Sequence, residues 1–432
     1  MNSNRRRIAF ISEHASPVAI FGSVDCGGQN IYINQLTKNL AALGYEIDIF
    51  TRRDNKHLPR IYEWIPGVRV IYVPAGPAKF IHKEELFPYM VQFTHFMLQF
   101  IKKNQKRYDI IHANFWMSGL VAMNLKRLLK IPFVITFHAL GHVRRMHQRD
   151  ADKFPEVRFA IEEEIMKETD YIIAECPQDR EDMIHLYHNA DPEKITIIPC
   201  GFDPSELWPI KKNIARTALW FKSDEKLILH LGRMVPRKGV DNVIRSFSLF
   251  IKHYNIDAQL IIGGGEALCP EVFTFPEIIR LRTIASEEGI LHKIHFTGQL
   301  NRNELKYYYS AADMFVTTPW YEPFGITPLE AMACGTPVIG SNVGGIKYTV
   351  VDSETGFLVP ANCPEALAER IACLYKRPAL RKTLQKQAIK RVNDFFTWGK
   401  IARDVAILYE KIIQTYSVKF NGRTISLVKR II

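Results

Sequence analysis

The chain has 432 residues, of which 47% are hydrophobic and 24% charged. That composition excludes a collagenous, disulfide-stapled or largely disordered chain, and the length, well past the size at which a single core stops growing, predicts two domains. The 57 basic against 45 acidic side chains leave a net charge of +12, which favours anionic partners: sugar phosphates, nucleotides, acidic lipid surfaces or nucleic acid.

Short apolar runs rich in β-branched residues at 8–12, 46–51, 68–73, 109–113, 133–137, 171–174 and 195–199 alternate with helical patterns. Near-continuous apolar strands separated by amphipathic helices indicate a parallel sheet covered on both faces. Proline and polar residues from Gly201 to Pro209 interrupt the pattern, which places a hinge there. The series then restarts with runs at 227–231, 259–262, 294–296, 314–317, 337–340 and 356–359. After Pro378 the chain reads as helical to about Tyr416, and a basic tail at 417–432 carries Lys419, Arg423, Lys429 and Arg430. A solvated terminus is the favoured reading of that tail, with a strand or a membrane-surface contact as alternatives. The predicted organisation is an α/β domain at 1–203, a second at 204–395, a helix at 396–416 and the tail at 417–432.

No apolar run is long enough to cross a bilayer, and the start from Met1 to Arg7 leads into a strand-like stretch rather than the apolar core of a signal sequence. Seven cysteines, an odd number without a Cys-x-x-Cys pair, fit free thiols in a reducing cytoplasm, with Cys26 set apart by its motif. Zinc-finger spacing, basic heptads and an RNA-recognition strand motif are missing from the sequence, so nucleic acid is not an expected partner.

In open α/β sheets ligands sit outside the carboxyl ends of the strands, so chemistry is sought in strand-to-helix loops. Asp25-Cys26-Gly27-Gly28-Gln29 follows the first strand and opens a helix to about Leu43. Its glycines let the backbone approach a ligand, and the helix start offers free N–H groups to an anion, although on this motif alone a plain turn and N-cap is the favoured reading. The spacing is not Gly-x-Gly-x-x-Gly, which argues against hydride transfer. Gly232 to Gly239 sets Arg233, Arg237 and Lys238 on a loop after the first strand of the second half, where guanidinium and ammonium groups can hold a pyrophosphate.

Glu322-Pro323-Phe324-Gly325-Ile326-Thr327-Pro328-Leu329-Glu330 is the most specific motif. Gly325 would begin a helix with its N–H groups aimed into the cleft, flanked by two carboxylates able to accept from sugar or ribose hydroxyls. His138 stands in a loop at the carboxyl end of a strand, a position that favours function. His142 four residues on could share a metal with it, yet no third ligand follows. Asp150-Ala151-Asp152 reads as solvent-facing, and Gly263-Gly264-Gly265 as a tight turn near the base or phosphate.

Taken in chain order, Ser12-Glu13-His14, Gly27-Gly28-Gln29, Asp48 to Arg52, His138, Gly232-Arg233, Lys238 and the Glu322/Glu330 motif resemble retaining glycosyltransferase family 4, which has the GT-B fold. The sequence is particularly similar to the branch holding sucrose-phosphate synthase and the mycothiol-pathway enzyme that glycosylates inositol phosphate. The resemblance implies two Rossmann-like parallel-sheet domains facing across a cleft, acceptor domain first and nucleotide-sugar domain second, with the C-terminal helix packed back on the first.

It further implies that Arg233 and Lys238 hold the donor diphosphate, Glu330 the ribose, and Glu322 the hexose, helped by Phe324 and the amides of Gly325, Ile326 and Thr327, with Gly28 also on the donor side. His138 would contact the sugar near the reacting carbon and completes a catalytic set with Glu322, Arg233 and Lys238. Gly27, Gln29, Lys83, Phe115, Arg144 and Arg158 would face the acceptor. Lys83 and Arg158 match positions that grip the acceptor's phosphate, whereas Phe115 and Ala139 stand where the inositol-phosphate enzyme has hydroxyl-bearing Tyr and Thr. A sugar, another sugar phosphate, a cyclitol phosphate or a lipid-linked acceptor therefore stays open. The implied chemistry retains anomeric configuration and needs neither metal nor other cofactor, with a UDP-hexose as expected donor. A catalytically silent nucleotide-sugar-binding protein of the same fold is the alternative, and an anionic membrane surface and a second copy of the chain are further candidate partners.

Overall fold

The computed structural model describes residues 5–18, 27–104, 107–265 and 275–428, with side chains described up to 416. Asp25, Cys26, Lys429 and Arg430, named above, lie outside the described residues.

Eight strands build the first sheet: β1 (Arg7–Ile11), β2 (Glu46–Arg52), β3 (Ile61–Ile65), β4 (Val68–Val73), β5 (Ile110–Asn114), β6 (Phe133–Thr136), β7 (Tyr171–Ala174) and β8 (Ile195–Ile197). Their spatial order is β3-β4-β2-β1-β5-β6-β7-β8, parallel throughout except that β3 runs antiparallel to β4 at the edge. That edge strand departs from the expected all-parallel sheet. Its residues are exposed or half-buried, so it carries no continuous apolar signal, and an antiparallel edge needs only a tight turn rather than a helical crossover.

The second sheet holds β9 (Leu227–Leu231), β10 (Gln259–Gly263), β11 (Ile294–Gly298), β12 (Met314–Thr317), β13 (Val338–Ser341) and β14 (Gly356–Val359), in the order β11-β10-β9-β12-β13-β14 and all parallel. Each sheet is apolar on both faces because helices cover both, and each fully buried Val, Ile or Leu contributes about 1.5–3 kcal/mol relative to exposure.

The first helix, Gly28–Ala42, shows how the parts are joined. Tyr32, Ile33, Leu36 and Leu40 recur at helical spacing and are buried. They meet the last helix, Trp398–Val428, where the Tyr32 and Trp398 rings lie 5.7 Å apart, edge to face. The helical C-terminus is thus broken once, between Phe395 and Trp398, rather than continuous from Pro378, and it runs past Tyr416 to Val428. The break is a crossing point: the Phe202 N–H donates to Phe396 O at 2.8 Å and the Trp398 N–H to Phe202 O at 3.1 Å. The chain leaves and re-enters the first domain through two hydrogen-bonded segments. A single apolar cluster runs through this joint, from Phe10 and Leu36 by Phe202 to Leu329, Trp398 and Tyr409. Among the described residues no helix is long and apolar enough to cross a membrane.

Candidate active site

Both sheets turn the carboxyl ends of their strands toward one cleft, a cavity of about 740 Å³. His14, Phe115, His138 and Glu175 reach it from the ends of β1, β5, β6 and β7; Arg233, Gly264 and Glu322 reach it from β9, β10 and β12. The start of the first helix faces the second domain directly. A β carbon on Gly27 would lie 3.8 Å from Arg233 Cδ, and one on Gly28 3.6 Å from Ile326 Cδ1.

On the second domain the loops after β9 and β12 are stitched together. The Trp320 N–H donates to Arg237 O at 2.9 Å, and Thr318 Oγ1 to Gly239 O at 3.0 Å. Gly239 closes the turn Pro236–Lys238 at φ 64°, where a β carbon would collide with the Thr318 carbonyl; only glycine takes this conformation at this closeness. The loop after β13 braces the other side. Gly344, at φ 45°, lies so close to Glu322 that a β carbon would strike its carbonyl, which also accepts from the Gly345 N–H at 3.1 Å.

These loops bring Lys238 and Glu322 into a direct ion pair, with side chains 16% and 13% exposed. Burial lowers the Lys238 pKa against the opposing pull of Glu322, and neighbouring Arg237 and Arg233 push it further down. Burial alone would raise Glu322, but Lys238, Arg237 and Arg233 override it and hold the carboxyl below its ordinary value. Arg237 packs over the Tyr321 ring at 5.2 Å, and its Nη1 is buried without a hydrogen-bonding partner. The short helix Ile326–Ala333 starts beside this group, capped by Gly325, and points its first N–H groups at the same space. The balance is positive, suited to a multiply charged phosphate.

Glu330, buried, is held by Arg302 Nη1 at 3.2 Å and accepts from the Tyr309 hydroxyl at 3.0 Å. A carboxylate has about four acceptor positions, so it retains capacity for a sugar hydroxyl. Arg302 also grips Glu206 of the hinge, which accepts from Gln35 Nε2 of the first domain at 3.0 Å. The two domains meet at further points: Gln148 donates to the Tyr321 hydroxyl, the His147 ring stacks on Tyr321 at 4.7 Å, and Lys347 Nζ donates to Gln178 Oε1 at 2.6 Å.

The structure brings together in the cleft His138, Gly28, Arg233, Lys238, Glu322, Phe324, Gly325, Ile326, Thr327 and Glu330, as well as Gly27, Gln29, Lys83, Phe115 and Arg144. Arg158 is the exception. It is 1% exposed, paired with Glu162 Oε1 at 2.7 Å, and covered by the Phe115 ring 5.1 Å away, so it stands behind the wall rather than on it. Arg144 lines the cleft but is already engaged by Asp152 Oδ1 at 2.7 Å and Glu84 Oε1 at 3.4 Å. Asp152 is accordingly buried and ion-paired, correcting the solvent-facing reading of the Asp-x-Asp pair; Asp150 is exposed. His142 stacks on Phe159 at 4.5 Å and packs edge-on to Tyr187, a structural place. Sequence reasoning passed over Glu175, Arg302 and Tyr321, which belong to no motif and act through the side chains they touch.

Comparison with known proteins agrees with this geometry. Residues 26–206 match the family described as Glycosyltransferase Family 4, and residues 211–391 the one described as Glycosyl transferases group 1. The chain is 31% identical to a D-inositol 3-phosphate glycosyltransferase of Corynebacterium glutamicum, over 95% of this chain and 98% of that one. It is 31% identical to the protein of that name from Thermobispora bispora, over 96% and 97%. Among solved structures, the sucrose-phosphate synthase of Thermosynechococcus elongatus superposes with a TM-score of 0.87 at 34% identity, covering 95% of this chain and all of that one.

With two parallel-sheet domains closing on one cleft, the protein is a glycosyltransferase of the GT-B fold. The chain belongs to glycosyltransferase family 4, in the branch that contains the inositol-phosphate glycosyltransferases and sucrose-phosphate synthase.

Proposed function

We propose that the protein transfers a hexose from a nucleotide-sugar, a UDP-hexose, to a sugar, sugar phosphate or cyclitol phosphate, with retention of anomeric configuration and without a metal. One observation carries this reading: Arg233, Arg237, Lys238 and the start of the helix Ile326–Ala333 converge opposite Gly27, Gly28 and His138. When the bond from the anomeric carbon to the diphosphate breaks, negative charge grows on the departing phosphate while the sugar becomes oxocarbenium-like. Fixed cations and helix N–H groups in the cleft stabilise that charge without reorganisation, the role elsewhere filled by a metal ion. Glu322, held by Lys238, accepts from hydroxyls of the hexose, and Glu330 from the ribose.

The relatives named for inositol 3-phosphate and for sucrose phosphate support an acceptor that carries or neighbours a phosphate. Lys83 and Arg144 line the first domain's side of the cleft, Arg144 within its pairs to Asp152 and Glu84, and add positive charge that suits such a phosphate. Incubation with UDP-, GDP- and ADP-hexoses and a panel of plain and phosphorylated sugars and cyclitols, followed by mass spectrometry, tests the reading. The expected result is a hexosylated product that forms equally in EDTA and keeps the donor's anomeric configuration. Inverted product or loss in EDTA overturns those parts, and nucleotide binding by calorimetry without turnover overturns the enzymatic reading.

A further inference from the structure

The floor of the cleft holds a carboxylate that the transfer scheme above leaves without a role. Glu175 follows β7, is 4% exposed and lines the cleft beside His138. Its Oε1 lies 3.1 Å from His138 Nδ1 and 3.1 Å from Cys200 Sγ. Burial and the neighbouring Glu175 raise the Cys200 pKa well above its ordinary value, so that thiol stays S–H and donates to the carboxylate.

The other ring nitrogen of His138, Nε2, lies 3.1 Å from Asn114 Oδ1. The orientation of that amide is set by its own nitrogen, which donates to the carbonyls of Ile11 and His112, each at 3.3 Å. The atom facing His138 is therefore the amide oxygen, an acceptor only. A hydrogen bond there requires a proton on Nε2, and the contact with Glu175 requires a second proton between Nδ1 and Oε1. Glu175 Oε1 already accepts from the Cys200 thiol, so it serves as the acceptor here too and the shared proton is assigned to the ring.

Around this pair stand Asp179, which accepts from the Glu175 N–H at 3.0 Å, Cys176 and Cys200 from the neighbouring strand ends, and Tyr32, whose ring meets His138 edge-on at 4.8 Å. His112 lies behind it, pushed down to about 3 by burial first and by His138 beside it, and adds no charge. The backbone of His138 is held at φ 58°, a left-handed conformation uncommon outside glycine, so the ring's direction is set by its surroundings.

We propose that Glu175 is the positioning residue of His138: together with Asn114 it fixes the imidazole at the cleft with both nitrogens protonated and both N–H groups committed to protein acceptors, making the side chain a fixed positive charge in the cleft and not a base for the acceptor's proton. The functional part of this rests on the reading of the cleft as the transfer site; the protonation part does not.

The test uses the full chain labelled with nitrogen-15 in histidine, with the His138 ring signals identified by their loss in His138→Gln. In the wild type at neutral pH, long-range proton–nitrogen spectra should show both His138 nitrogens protonated. Glu175→Gln should leave one of them unprotonated, and Glu175→Asp should restore much of the wild-type pattern. In parallel, Glu175→Gln should lower kcat for UDP-hexose turnover by tenfold or more while KM for the donor and UDP affinity by calorimetry stay within about twofold. A purely structural role would move affinity and thermal stability together with kcat. An unprotonated His138 nitrogen in the wild type overturns the proposal whether or not any variant folds. So do Glu175→Gln spectra and kcat that match the wild type. A wild type that protonates His138 as described but turns over no nucleotide sugar overturns the transfer reading and the catalytic half of this proposal, leaving the Glu175–His138 linkage standing.

Discussion

Lys238 and Glu322 are paired directly although they stand 84 positions apart on different loops. Burial would raise the Glu322 carboxyl, and the ammonium, with Arg237 and Arg233, holds it below its ordinary value. Lys238→Ala should therefore lower kcat/KM for transfer at least a hundredfold, in line with the ~3 kcal/mol that a preorganised charge contact supplies in a transition state. Glu322→Ala should do the same, with a larger share of the loss in KM for the donor. Steady-state kinetics on both variants, with circular dichroism to show the fold intact, checks this; full activity in both would remove the site assignment.

Arg302 spans Glu330 in the second domain and Glu206 in the hinge. Arg302→Ala leaves two carboxylates without their shared cation, one of them buried, so a loss of about 2–4 kcal/mol in stability is expected by urea titration. UDP affinity should fall about tenfold, because Glu330 would be held by Tyr309 alone. Arg302→Lys should rescue only part, since one ammonium cannot fork across both partners.

Gly239→Ala should be worse for the site than for the fold. Its β carbon would collide with the Thr318 carbonyl, forcing apart the loops that carry Lys238 and Glu322. A left-handed backbone with a direct clash costs on the order of 1–3 kcal/mol. Nucleotide binding by calorimetry should weaken more than tenfold while the thermal midpoint drops by only a few degrees.

Asp179 is raised to about 8 by burial first and by the Glu175 charge second. Between the unfolded value, about 4, and that folded value the native protein holds a proton which the unfolded chain has released, so stability falls as pH rises through this window. Asp179→Asn keeps an acceptor for the Glu175 N–H and removes the titration. Thermal midpoints measured from pH 5 to 9 should decline less in this variant, with the widest gap at the alkaline end; parallel curves would refute the assignment.

Much of the fold was legible because parallel strands buried on both faces print themselves as short apolar runs. Val68–Val73, Tyr171–Ala174, Leu227–Leu231, Met314–Thr317 and Gly356–Val359 are the same residues in the sequence reading and in the structure. Ile61–Ile65 was missed because an exposed edge strand leaves neither a continuous apolar run nor a clean alternation. At the site, residues in strand-to-helix loops could be located since such loops point into the cleft by topology. What could not be read was the pairing of charges. Nothing near Asp152 marks it as buried, and the burial of Arg158 depends on Glu162, one helical turn on, and on the Phe115 ring, far away in sequence. Glu175 and Arg302 stayed hidden for the same reason: their partners, His138, Glu206 and Glu330, are brought to them only by the folded chain.

The joined crossings at Phe202, Phe396 and Trp398 carry one further consequence. Because the chain departs and returns at a single point, the second domain is topologically an insertion into the first, its two ends within a hydrogen bond of each other. An exchange of residues 203–395 would therefore cut the chain at one place in space, with the contacts Gln35–Glu206, Gln148–Tyr321 and Gln178–Lys347 left to be matched. Recombination at that seam would replace the second domain's side of the cleft and leave the first domain's wall unchanged.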